Sequence, residues 1–116
     1  MASDRRIEKL NTLLKEEVSR ILQRDIEFPE GTLLTVTKVS VSPNLEKANI
    51  YVSIFGRETA EVLEILQKTV YTVQQSLNRR MRMRPVPKIV FLLDENELRR
   101  ETVERSLAEL KKKGEL

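Results

Sequence analysis

The sequence predicts an α+β fold, a three-stranded sheet with helices packed on one face. Three observations predict it. Three stretches carry apolar residues at intervals of three and four, as a helix with one buried side requires. Three shorter ones are rich in β-branched residues, in alternation or in a brief apolar run. Pro, Gly and Asn stand between them, where turns are needed. A chain of 116 residues, 40% of them hydrophobic, has the length of a single domain with one modest core.

Residues 4–24 place Ile7, Leu10, Leu14, Val18, Ile21 and Leu22 along one side of a first helix. Ser3 or Asp4 can cap its start, and Pro29 with Gly31 stops any continuation. Arg5, Arg6, Lys9, Arg20 and Arg24 are interspersed with Glu8, Glu16 and Glu17, so its outer side is of mixed charge. From Leu33 to Val41 the period becomes two, with Thr35, Thr37, Val39 and Val41 set against Leu34, Val36, Lys38 and Ser40. Residues 42–47 turn on Pro43 and Asn44, after which Ala48, Ile50, Val52 and Ile54 alternate with Asn49, Tyr51, Ser53 and Phe55. These two strands form an antiparallel hairpin that Gly56 ends.

Thr59 is the candidate cap of a second helix, whose Val62, Leu63, Leu66, Val70, Val73, Leu77 and Met81 recur at helical spacing as far as Arg84. Its middle is weak. The residues from Thr69 to Val73 are poor helix formers, each about half a kcal/mol worse than Ala, so two helical segments with a bend near Thr69 to Tyr71 are expected. Met81 and Met83 read as fillers of gaps in the core. Pro85 and Pro87 stop the helix and favour extended backbone before them. Lys88 to Leu93 then form a third strand, apolar at nearly every position, as suits a strand covered on both faces or set beside a parallel neighbour. Asp94 with Glu97 resembles a capping pair for a short C-terminal helix over residues 95–113, with Leu98, Val103, Leu107 and Leu110 on one side. The order αββααβ, with a core over about residues 4–94, is that of a type II K-homology-like domain, a layout that order alone does not separate from other small α+β domains.

Composition removes several chemistries. The chain has no Cys and no His, which excludes disulfides, thiolate or imidazole metal sites, a Cys nucleophile and His-based proton transfer. Asp94, Glu95 and Glu97 are the nearest approach to a carboxylate cluster, and a helix start explains them. No enzymatic activity, metal or cofactor is therefore expected. The start MASDRRIEKL is charged where a signal peptide is apolar, and no apolar run reaches bilayer length, so a cytoplasmic protein without a membrane partner is expected.

What remains is charge. Between Glu64 and Asp94 there is no acidic residue, while Lys68, Arg79, Arg80, Arg82, Arg84 and Lys88 all fall in that interval, within a chain whose net charge is only +3. Such an excess suits a polyanion, since phosphate binding releases counterions; the competing reading is a solvated helix face. On a helix running to Arg84, Arg80 and Arg84 lie one turn apart, as do Arg79 and Arg82, with Leu77 and Met81 holding the other side to the sheet. The guanidinium fork can bond two phosphate oxygens at once. Arg57, Lys68 and Lys88 are second-rank candidates, with Lys38 and Lys47 below them. Two Tyr and three Phe, mostly in core-like positions, give little support to base stacking, so recognition of folded RNA shape and backbone is expected. Tyr71, at the expected bend, is the one aromatic whose role stays open between stacking and a half-buried anchor.

Three segments carry a family resemblance: RIEKLNTLLKEEVSRIL at 6–22, TKVSVSPNLEKANIYVSIFG at 37–56 and MRMRPVPKIVFLLD at 81–94. They resemble the ribosome-binding factor A family, the second matching its hairpin signature and the third its arginine- and proline-rich strand. That family is similar in topology to type II K-homology domains but has an Ala-x-Gly junction between its two central helices in place of their GxxG loop. Here Thr69, Val70 and Tyr71 hold that position, a departure that removes the glycine-enabled approach of backbone to RNA. The resemblance implies binding to the immature small (30S) ribosomal subunit and its 16S ribosomal RNA near the decoding-region neck. It also implies help in late maturation and 5′-end processing, without catalysis. Ribosomal proteins and assembly GTPases are implied as further partners, and a monomer is expected when the protein is free. The alternative is a non-catalytic interaction module that binds a ribosomal protein, in place of RNA, through the hairpin and terminal helix.

Overall fold

Ser3 Oγ accepts a hydrogen bond from Arg6 N at 3.3 Å and so satisfies one of the free amides that open α1 (Asp4–Asp25). The computed structural model describes residues 3–95; apart from Glu95 the helix expected over 95–113, with Glu97 of its Asp94–Glu97 capping pair, lies outside the described residues. In α1 the buried side is Leu14, Val18, Ile21 and Leu22, as the spacing requires. Asn11 Oδ1 accepts from Val41 N at 2.9 Å and fixes the helix against the end of β1 (Leu33–Val41).

β1 pairs antiparallel with β2 (Lys47–Phe55), Leu33 opposite Phe55 and Val41 opposite Ala48. The turn between them is held by Asn44 Oδ1, which accepts from Ser42 Oγ at 2.7 Å and from Glu46 N at 3.1 Å. A bulge between Val36 and Lys38 shifts the register, and Thr37 Oγ1 there donates its one proton to Asp94 Oδ2 at 2.5 Å and lies 3.3 Å from Tyr51 O. The Asp94 carboxylate is thus a strand-to-strand tie. α2 (Thr59–Arg80) crosses over to β3 (Lys88–Leu93), which lies parallel to β2 with Lys47 opposite Lys88 and Val52 opposite Leu93. The sheet order is β1-β2-β3. Both helices pack on one face of it, where Val36, Val39, Ala48, Ile50, Val52, Ile89 and Phe91 meet the apolar sides of α1 and α2 in one continuous core.

Three expectations are corrected. α2 is one continuous helix, not two segments with a bend at Thr69 to Tyr71: Val62, Leu66, Val73 and Leu77 are fully buried, and that burial outweighs the weak propensity of the middle. Thr69 turns its hydroxyl back to Ile65 O at 2.8 Å instead of breaking the ladder. Thr59 is not the cap; Glu58 stands there and makes no side-chain cap bond. The helix ends at Arg80 and not at Arg84, its last bond running from Met81 N to Leu77 O at 3.0 Å. β3 has the parallel neighbour that its apolar run suits, and of its residues Ile89 and Phe91 are buried while Val90 is 42% and Leu92 36% exposed.

Candidate nucleic-acid interface

The early end of α2 decides where the arginines go. Successive helical residues point about 100° apart, so Arg79 and Arg80 leave the last turn in different directions. Arg80 faces α1, where its Nη1 lies 3.8 Å from Glu17 Oε2. That oxygen is buried and makes no hydrogen bond among the described residues, and the other carboxylate oxygen is paired with Arg20 at 3.1 Å. Arg80 therefore offsets a largely buried negative charge, a structural task. Arg79 points the other way, into a cleft of about 480 Å³ between the end of α2 and the loop 81–87.

The loop is built by two clamps. Arg84 Nη1 donates to Met81 O at 2.6 Å and to Met83 O at 2.8 Å, folding the side chain over the carbonyl of the helix C-cap and one of the loop. The Arg84–Pro85 peptide bond is cis. Gln74 supplies the second clamp: its Nε2 donates to Pro87 O at 3.1 Å and to Asn78 Oδ1 at 3.0 Å, and its Oε1 accepts from Ile89 N at 2.9 Å. Pro87 is fully buried behind it. The cleft so formed has Gln75 and Asn78 on its helical wall, Pro85 and Val86 on its loop wall, and Arg79, Arg84 and Lys88 as its cations. Among the described residues no carboxylate lines it. A low-dielectric wall with cations of one sign focuses a positive potential, which is what a phosphate-bearing ligand needs.

Three of the cations expected to act together, Arg79, Arg84 and Lys88, thus meet at one cleft, and Lys47 lies beside Lys88 through the parallel register. The others do not join them. Arg82 is exposed in the loop and does not line the cleft. Lys68 pairs with Glu64 at 2.9 Å and Arg57 with Glu61 at 3.5 Å, each an exposed pair one turn apart. Such pairs are worth at most about 1 kcal/mol, so neither lysine nor arginine is withheld from a phosphate. The single arginine ridge expected along a helix to Arg84 is therefore not formed; a helix that stops at Arg80 and a loop that doubles back place the charges on different sides. Lys38 lies on the open sheet face with its Nζ 5.6 Å from the Tyr51 ring centroid. Gln75, Asn78, Pro85 and Val86 went unnoticed in the sequence, although the spacing of Gln74 and Asn78 allows their contact. Tyr71 is 72% exposed on the outer side of α2, one turn before Gln75, and is no half-buried anchor.

A larger cleft of about 620 Å³ lies along β3 and includes Lys38, Tyr51, Gln67 and Leu92, but Asp94 and Glu95 also line it, which disfavours an anion. Among the described residues no three His, Cys, Asp or Glu side chains gather as a metal site. No described helix is long and apolar enough to cross a membrane.

Residues 6–107 match the family model of ribosome-binding factor A. The ribosome-binding factor A of Gloeothece citriformis is 40% identical over 98 residues, a match that covers 81% of this chain and 75% of the relative. Among solved structures, the crystal structure of ribosome-binding factor A from Thermus thermophilus superposes with a TM-score of 0.68 at 32% identity, covering 75% of this chain and 93% of the other. A homology model of the same Thermus protein, fitted into a cryo-electron-microscopy map of its complex with the 30S subunit, gives a TM-score of 0.64 at 32% identity over 72% of this chain and 90% of the other.

Proposed function

We infer, from the fact that this chain belongs to the ribosome-binding factor A family, that it binds the immature small (30S) ribosomal subunit and contacts its 16S ribosomal RNA. It acts there as a non-catalytic assembly factor in the cytoplasm, assisting late maturation and 5′-end processing. Ribosomal proteins and assembly GTPases are its further partners, and it is a monomer when free.

The observation that carries the RNA contact is the cleft with Arg79, Arg84 and Lys88 around it and no carboxylate among its described lining residues. Phosphate oxygens accept from guanidinium and ammonium groups, and displaced counterions supply entropy that a protein surface cannot. Lys47, adjacent to Lys88, extends the same basic surface along the end of the sheet. Arg82, Arg80, Lys68 and Arg57 do not line it and are the outlying candidate cations. The test is ultraviolet crosslinking of the protein to precursor 30S particles, followed by mapping of both the bound RNA fragments and the crosslinked peptides. Crosslinks to 16S RNA through peptides spanning 74–88 are expected. Crosslinks confined to ribosomal proteins, with none to RNA, would leave the protein-interaction module as the function.

A further inference from the structure

We propose that the outer side of α2 from Tyr71 to Arg79, together with the cleft at its end, binds a short unpaired stretch of RNA: one base stacks on Tyr71 and a nucleotide farther along the strand enters the cleft. The proposal rests on the RNA-binding reading above and names the form of RNA that this surface takes.

A surface that only grips duplex backbone needs cations and nothing else. This one has more. Tyr71, 72% exposed, is a large aromatic ring held in water on a rigid helix with no ring partner among the described residues. Gln75 follows one turn later and Asn78 and Arg79 a turn beyond, so all four share the outer side of α2 and lead directly into the cleft. From Tyr71 to Asn78 the helix rises about 10 Å, roughly three stacked nucleotide steps of about 3.4 Å. The cleft volume of about 480 Å³ falls in the range of small-ligand sites. Its loop wall, Pro85 and Val86, offers an apolar surface to a base, whereas a phosphate gains nothing from it.

The polar group on the facing wall has a fixed sense. Because Asn78 Oδ1 accepts from Gln74 Nε2, the Nδ2 amide of Asn78 is the end left over, with two donors for a base carbonyl or ring nitrogen. Gln74 is itself fully engaged with Pro87, Ile89 and Asn78, so the cleft is formed before any ligand arrives. Arg79 and Lys88 then take the flanking phosphates. A base locked in a duplex can reach neither Tyr71 nor the cleft floor, so the surface discriminates single strands from double.

Fluorescence anisotropy tests this with an eight-nucleotide single-stranded RNA, its duplex, and the free nucleoside monophosphates. The single strand is expected to bind tighter than the duplex. Tyr71→Ala should weaken the single strand by about 5- to 100-fold, the range for loss of one base–aromatic stack, leave the duplex unchanged and keep the melting temperature. Tyr71→Phe should restore binding, and a 2-aminopurine in the strand should be quenched by the wild type and by Tyr71→Phe but not by Tyr71→Ala. Equal affinity for both RNA forms with no effect of Tyr71→Ala overturns the proposal while the RNA-binding reading stands. Mononucleotides binding as tightly as the octamer overturn it in favour of a small-molecule site. Failure of both RNA forms to bind, alongside absent RNA crosslinks on the 30S particle, overturns both readings.

Discussion

At the scale of single residues, identical side chains do different work because backbone geometry sets their neighbours. Arg80 sits against the largely buried Glu17, Arg84 holds the carbonyls of Met81 and Met83, and Arg79 alone of these is turned into the cleft from the helix. Reversing charge at Arg80 would put a carboxylate beside Glu17, so a binding defect there would report folding as much as contact. Glycine supplies the sharpest residue-level case. Gly56 has φ +84°, and a Cβ on it would lie 2.1 Å from Gly31 O, a backbone atom that cannot swing aside. Gly56→Ala combines a left-handed penalty with a clash and should cost about 2 to 4 kcal/mol, read as a lower denaturation midpoint with unchanged slope. A loss below about 0.5 kcal/mol would mean the two loops are not in contact. Leu45 accepts a similar conformation, φ 61°, in the hairpin turn while its side chain packs on the core.

At the scale of elements, β3 is the informative one. Its sequence is apolar at five of six positions, from Ile89 to Leu93, yet only alternate residues are covered. The pleat puts Ile89 and Phe91 towards the helices and Val90 and Leu92 towards the open face. Phe91→Ala should therefore lower stability by about 3 to 5 kcal/mol, whereas Leu92→Thr should stay within about 1 kcal/mol by the same denaturation measurement. Similar losses at both positions would mean that the open face is covered. α2 shows the opposite lesson. Thr69 to Val73 would favour a strand or a bend in isolation, but Val73 is a core residue and Thr69 is satisfied by Ile65 O, so the helix runs through. Its end is set by Pro85 and Pro87 only indirectly; the chain leaves the helix at Met81, four residues earlier, where the Met81 side chain turns into the core.

At the scale of the molecule, the charge imbalance becomes a directed surface because the parallel β2–β3 pairing brings Lys47 beside Lys88, below a cleft that Arg79 and Arg84 share. Replacing Arg79 and Lys88 together with Gln should lower the slope of log K for 30S binding against log salt by about 1.4 to 1.8, two phosphate contacts' worth, with no change in melting temperature. An unchanged slope would remove the cleft from the interface. The sequence by itself determined the α+β class, the hairpin, the limits of α1 and β1, the positions of most core residues, and the concentration of cations between Glu64 and Asp94, because periodicity and composition are local properties of a chain. Only the tertiary structure decided that α2 is unbroken, that it stops before Arg82, that Arg80 answers to Glu17, and that Gln74 clamps a cleft between Asn78 and Val86. Each of those depends on which distant group a side chain meets once the sheet has closed, and such meetings override local preference whenever burial or a buried charge is at stake.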